Sequence, residues 1–230
     1  MARFALYIFL LLFLGSCISD SDETPQEVAC TYDLGNQTLL PTSVTAFPYQ
    51  NIKTVTFVDS FGVHKIFDVT TEKTSAKLRH SIILIDTTIN SIYYKNSEIV
   101  NCMFSQSVSY TLKENGGNLI LFASVYNDFD TTKPEKTVVD EAEISLTDNG
   151  LVASLFPYFN MRIDKRASTD NFSDKIESFD ELAIFDKTFK NVFKNVFTTT
   201  QRHKVLYNQT EGIVSFTEAN GRKWRFESMN

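Results

Sequence analysis

Histidine and cysteine are scarce in this chain, three of each among 230 residues, and His64, His80, His203, Cys17, Cys30 and Cys102 all stand singly. Zinc sites draw their ligands from close pairs, so this spacing offers none, and no metal or cofactor is expected. Glycine is thin as well. Eight glycines, most of them in polar clusters, leave no material for a phosphate loop, a dinucleotide fingerprint or a nucleophile elbow. There is no run of basic residues, and 22 Lys plus Arg against 28 Asp plus Glu give a formal charge of -6. Such a chain has little with which to neutralise a phosphate backbone, which sets nucleic acid aside as a partner. The longest apolar run, Phe4 to Leu14, is about half of the roughly 20 residues that a membrane-spanning helix needs.

That short run is nonetheless the most informative stretch of the sequence. Arg3 precedes it and the small residues Gly15 and Ser16 follow it, which are the parts of a secretory signal peptide. Leu14-Gly15-Ser16-Cys17 resembles the lipobox of bacterial lipoproteins. The resemblance implies cleavage before Cys17 and acylation of that cysteine, with enough buried methylene groups for lasting membrane anchorage. The next residues, Ile18 to Glu27, carry four carboxylates and no basic group, too little apolar surface to offset the entropy of ordering. They read as a flexible tether. Within it, Ser19-Asp20-Ser21-Asp22-Glu23 is similar to the acidic export signal of surface-exposed lipoproteins of the Bacteroidetes type, and Ile18 replaces the aspartate that retains other lipoproteins at the inner membrane. The location so implied is the outer membrane, lipid-anchored and facing outward. The chain then divides into a signal peptide (1–16), a lipidated cysteine with its tether (17–29) and a β-rich domain (30–230).

With Cys17 given to lipid, Cys30 and Cys102 remain in a chain that has left the cytoplasm, where pairing is permitted. A bridge between them would stabilise the fold by roughly 4 kcal/mol on the chain-entropy model. Two free buried thiols, acting as small hydrophobes, are the other reading.

The domain is patterned as strands. Phe104, Gln106, Val108, Tyr110 and Leu112 alternate with Ser105, Ser107, Ser109, Thr111 and Lys113; Ala142, Ile144 and Leu146 alternate with Glu141, Glu143, Ser145 and Thr147; Phe159, Met161 and Ile163 alternate with Asn160, Arg162 and Asp164. A period of two with one apolar face is the mark of a half-buried strand. Leu119 to Tyr126 is apolar on both faces and predicts a central strand covered on two sides. Hairpin turns are expected at Asp59-Ser60-Phe61-Gly62, Asn115-Gly116-Gly117-Asn118, Asp148-Asn149-Gly150 and Ala219-Asn220-Gly221. Phe189, Val192, Phe193, Val196 and Phe197 recur at helical spacing, but their β-branched and aromatic character favours a strand. Residues 165–180, crowded with Asp, Ser, Asn and Lys, read as a loop with room for a helical turn. These signals predict an all-β, single antiparallel domain, an open or half barrel or alternatively a β-sandwich. Twenty phenylalanines, with only Phe4, Phe9 and Phe13 in the signal run, imply either a filled core or an aromatic-lined cavity for an apolar ligand.

Towards the C-terminus, Phe189-Lys190-Asn191-Val192-Phe193, Val205-Leu206-Tyr207-Asn208, Gly212-Ile213-Val214-Ser215-Phe216 and Asn220-Gly221-Arg222-Lys223-Trp224 resemble the closing segment of many outer-membrane lipoproteins of the Bacteroidetes type. Pro48-Tyr49, Val55, Phe57, Gly62, Phe67 and Val69 echo it more weakly. The resemblance implies a β-rich envelope domain in which Phe216 and Trp224 meet across a hairpin turned by Asn220-Gly221. Carriers of the lipoprotein-sorting type are similar at the level of a half barrel with comparable final hairpins.

Chemistry-bearing residues are few. His80 and His203 follow arginines in contexts that favour structural or solvated roles. Asp128 and Asp130 lack the glycine of a calcium loop and are followed by Lys133 and Lys136. Asp86-Thr87-Thr88 and Asp130-Thr131-Thr132 are similar to a short O-glycan acceptor motif, with Thr87 and Thr131 as acceptors. Asn36, Asn171 and Asn208 lie in sequons that a lipobox makes irrelevant. The sequence therefore predicts a lipid-anchored envelope protein with a non-catalytic binding or structural role and no enzyme activity. A carrier or sensor of an apolar ligand is the alternative. A glycan-processing hydrolase, which would need two carboxyl groups about 5 to 9 Å apart in a cleft, is the third.

Overall fold

The computed structural model describes residues 29–86, 95–129, 137–148, 151–152, 159–163, 176–195 and 205–230. The signal run, Cys17, the acidic tether, Thr87, Asp130, Thr131 and His203 lie outside them. In chain order the elements are β1 (Tyr32–Asn36), α1 (Pro41–Val44), β2 (Thr54–Asp59), β3 (His64–Asp86), β4 (Lys95–Glu114), β5 (Ile120–Phe129), β6 (Val138–Asp148), β7 (Leu151–Val152), β8 (Phe159–Arg162), β9 (Ile176–Ile184), β10 (Lys187–Asn195), β11 (Val205–Asn208), β12 (Gly212–Thr217) and β13 (Lys223–Met229).

All of these strands belong to one sheet, ordered β7-β6-β5-β4-β3-β2-β13-β12-β11-β10-β9, with β8 beside β6 and β1 beside β4. A single twisted sheet of this size curls, and here it forms a nearly closed barrel rather than a sandwich. Its two ends come close: the Phe159 ring of β8 lies 5.1 Å from the Tyr207 ring of β11.

Turn chemistry sets the hairpins. Between β2 and β3, Asp59 Oδ1 accepts from the N–H groups of Phe61 and Val63, and Gly62 takes the positive φ of 79° that the bend requires. Between β12 and β13, Asn220 Oδ1 accepts from Arg222 N–H, and Phe216 stands opposite Trp224 with their rings 6.4 Å apart. The two-residue turn joining β9 to β10 carries no glycine or asparagine, and Phe185 adopts a φ of 57° there.

The inner face follows the alternation of the sequence. Val108, Tyr110 and Leu112 of β4, Leu121, Ala123 and Val125 of β5, Ala142, Ile144 and Leu146 of β6 and Phe159 of β8 are all buried. Phe57, Phe67, Phe216, Phe226 and Trp224 form the aromatic cluster of the β2–β3 and β12–β13 hairpins, with Phe57 and Phe216 5.0 Å apart edge to face. Over the concave side runs the segment from Leu39 to Ile52, including α1. Phe47 and Tyr49 sit among Tyr110 and Tyr207. Tyr207 donates to the Ala46 carbonyl at 2.5 Å, and Ile213 N–H donates to the Tyr49 hydroxyl at 2.7 Å.

β3 and β4, of 23 and 20 residues, make a hairpin far longer than any neighbour. β5 pairs with β4 only along Ser107–Lys113, and β1 takes the place beside β4 at Asn101–Phe104, running parallel to it. Cys30, just before β1, is bonded to the fully buried Cys102, across 72 residues of sequence.

Three expectations need correction. β5 lies centrally in the sheet, but its two faces differ: Leu121, Ala123 and Val125 are buried on the inner face while Phe122 on the outer face is exposed. Phe104, expected on the apolar face, is exposed as well, although Met103 and Ser105 on either side of it are buried. Residues 176–180, expected as loop, belong to β9, where hydrogen bonding to β10 overrides a polar composition.

Candidate functional site

Two regions of the sheet, both on its outer side, gather polar or apolar side chains in a way that invites chemistry. The first spans β5, β6 and β8. Because residues two apart on a strand share a face, Tyr126 and Asp128 come beside Glu141 and Glu143, and these stand opposite Arg162 and Asn160 of β8. Tyr126 donates to Glu143 Oε2 at 3.0 Å, Asn160 Nδ2 donates to Glu141 Oε2 at 3.2 Å, and Arg162 Nε lies 3.8 Å from Glu141 Oε1. Burial pushes the carboxyls of Asp128, Glu141 and Glu143 above their usual range. The Tyr126 hydroxyl opposes that rise at Glu143, while the Asn160 amide opposes it at Glu141. Burial, reinforced by the charge of Glu143, drives the Tyr126 phenol far upward. His80 stacks near Phe129, 5.7 Å between rings, and its charge favours the ionised form of Asp128. Sequence alternation placed these residues on one face, but the juxtaposition of two strands with β8 was not readable from spacing. Among the described residues no group of three or more His, Cys, Asp or Glu side chains is arranged to hold a metal ion.

The second region is a groove of about 480 Å³ on β9 to β13, lined by Phe179, Leu182, Lys194, Leu206, Ser215, Thr217, Gly221 and Lys223. The pleat explains its composition. Val205 pairs with Phe216 and Phe216 with Trp224 on the inner side, so Leu206, Ser215, Thr217 and Lys223 turn to the other. Leu206 and Ser215 are buried at its base, Phe179, Leu182 and Thr217 are half-buried on its walls, and Lys223 is exposed at its rim. Lys194 is held 2.8 Å from Glu177, and Lys223 Nζ lies 5.8 Å over the ring of Phe185, itself exposed at the β9–β10 turn. The Ser215 hydroxyl donates to the Trp224 carbonyl at 2.6 Å, which ties the floor to the sheet. The closing motif that holds Leu206 and Ser215 carries no local signal of the groove, which depends on five strands meeting.

The sequence-derived residues are otherwise distributed as follows. Cys30 and Cys102 are joined in a disulfide. Asn36 and Asn208 are strand residues, the latter bonded to Glu211 and to the Lys190 carbonyl. His64 is exposed at the start of β3. Near the turn end of the β12–β13 hairpin, the charged groups of Lys65 and Arg222 lie 4.9 and 4.6 Å from the buried Trp224 ring. Burial works against the charge of Asp59 at this end, but the Arg222 guanidinium and the N–H groups of Val63 and Phe61 outweigh it and hold the carboxyl low. Among the described residues no helix is long and apolar enough to cross a membrane. Compared with known proteins, the chain matches no family model, no curated protein and no solved structure.

Proposed function

We propose that this chain is a lipid-anchored protein of the outer membrane, held by an acylated Cys17, facing outward, and serving a non-catalytic binding role through its barrel. The observation that carries the reading is the bond between Cys30 and Cys102, because a structural disulfide belongs to a compartment outside the reducing cytoplasm. The Leu14-Gly15-Ser16-Cys17 motif and the acidic residues after it supply the address. The non-catalytic reading draws support from the acidic face, where Glu141 and Glu143 are occupied by Asn160, Arg162 and Tyr126 in the manner of structural ties. A carrier of an apolar ligand is the second reading, favoured by the groove on β9 to β13.

Metabolic labelling with a palmitate analogue tests the anchor. The unaltered chain is expected to incorporate label and to fractionate with the outer membrane, and Cys17→Ala to lose both. Equal labelling of the two would refute the reading, and protection of the labelled chain from protease added to intact cells would refute the outward orientation.

A further inference from the structure

We infer that the groove on β9 to β13 is a binding site for a long-chain carboxylate, the acyl chain lying on Leu206, Phe179 and Leu182 and the head group at Lys194 and Lys223. The inference rests on the binding role proposed above and names its ligand class. Three observations carry it. First, the groove is of the size that small-ligand sites have, a few hundred Å³, and is lined mostly by apolar surface. Second, its polarity is ordered. The base is buried Leu206 beside Ser215, whose hydroxyl is already committed to the Trp224 carbonyl, so the floor asks nothing polar of a ligand. Third, both titratable groups in the lining are lysines, Lys194 half-buried on the wall and Lys223 exposed at the rim. An amphiphile with an anionic end matches that gradient, its chain replacing water over the floor and its head reaching the ammonium groups, whereas a cationic amphiphile would meet like charge.

The cation at Lys194 is shared with Glu177, 2.8 Å away, so a carboxylate arriving there joins an existing ion pair as a second acceptor. An ammonium group has three donors and accommodates both. Phe185 at the β9–β10 turn shoulders Lys223 by a ring contact and fixes where its charge stands.

The test is photo-crosslinking of the full chain, in nanodiscs, with a sixteen-carbon carboxylate bearing a diazirine at its far end. Label is expected on peptides containing Phe179–Leu182 and Leu206, to saturate, and to be displaced by excess palmitate but not by hexadecanol or by hexadecyltrimethylammonium. Lys194→Gln with Lys223→Gln, one half-buried and one exposed position, should fold normally by circular dichroism and label about tenfold less at the same probe concentration. Leu182→Gln, at a half-buried wall, should reduce labelling without touching the charges. Label scattered over the sheet, displacement by the cation as effective as by palmitate, or full labelling of the double lysine variant would each overturn the inference. A chain that carries lipid on Cys17 and reaches the outer membrane yet takes no label at the groove refutes this site while leaving the anchored envelope reading in place.

Discussion

Asp140 and Asn127 meet inside the barrel, the Asn127 amide donating to Asp140 Oδ1 at 2.6 Å, and both residues are fully buried. The other oxygen of Asp140 accepts from Leu40 N–H at 2.9 Å, and Asn127 Oδ1 accepts from Gln106 N–H at 3.0 Å. Gln106 in turn accepts from Leu39 N–H at 3.1 Å. This small network fastens the start of the concave segment to β4, β5 and β6. Asp140→Ala is expected to lower stability by about 3 kcal/mol, because it strands a backbone N–H and an amide without acceptors in the interior. Asp140→Asn, which keeps one acceptor oxygen, should cost less. Urea unfolding of the two variants checks the order, and equal losses would contradict it.

The Cys30–Cys102 bond should respond to reductant. Replacing both cysteines by alanine is expected to reduce stability by up to about 4 kcal/mol, the loop-closure value for a bridge of this span. Reduced and oxidised forms should also separate on a non-reducing gel, and thiol-reactive label should reach the half-buried Cys30 only after reduction and the buried Cys102 only after reduction and unfolding. Labelling of the native oxidised chain would argue against the pairing.

Gly212 and Gly221 both have positive φ, at 77° and 87°, but their surroundings differ. A Cβ at Gly221 meets open space, so Gly221→Ala should cost only the conformational strain, about 1 kcal/mol. A Cβ at Gly212 would fall on the phenol of the fully buried Tyr49, and Gly212→Ala should cost at least twice as much. Thermal melts of the two single variants give the comparison directly.

Glu143 offers a pH test. Its carboxyl is pushed up from 4.5 by burial, so the folded chain holds that proton more tightly than the unfolded one. The stability so conferred is fully present below the unfolded value and is lost as pH rises through the folded value. Glu143→Gln keeps an acceptor for Tyr126 and removes the charge that is costly at neutral pH. Its urea midpoint should exceed that of the unaltered chain at pH 7 and match it at pH 4. An equal gain at both pH values would indicate a packing effect instead.

The alternation Ala142-Ile144-Leu146 against Glu141-Glu143 was legible because one-sided burial writes itself into every second residue, and the Phe216–Trp224 hairpin because Asn220-Gly221 demands that turn. The all-β barrel followed from such local rules. What stayed hidden was non-local. The turn at Phe185-Asp186 carries no glycine; its Asp186 carboxylate is gripped by Arg225 of β13, a partner 39 residues away. β1 pairs in parallel with β4, a segment far along the chain, and local spacing does not announce that partnership. The face of β5 occupied by Phe122 looks core-like in sequence, yet pairing order makes it the outer face, where Phe122 is exposed. The groove is hidden for the same reason, since Phe179 and Ser215 are brought together by pairing order rather than by spacing.

The neighbour of β2 in the sheet is β13, and the terminal Asn230 exchanges backbone hydrogen bonds with Thr54. β2 therefore waits for the distant β13 before its second edge is filled. Contacts of such sequence separation slow folding, because loop closure must be met before they form. A nascent chain cannot complete this barrel until β13 has been made, and one truncated before Lys223 would leave two raw strand edges, on β2 and on β12, open to pairing with other chains.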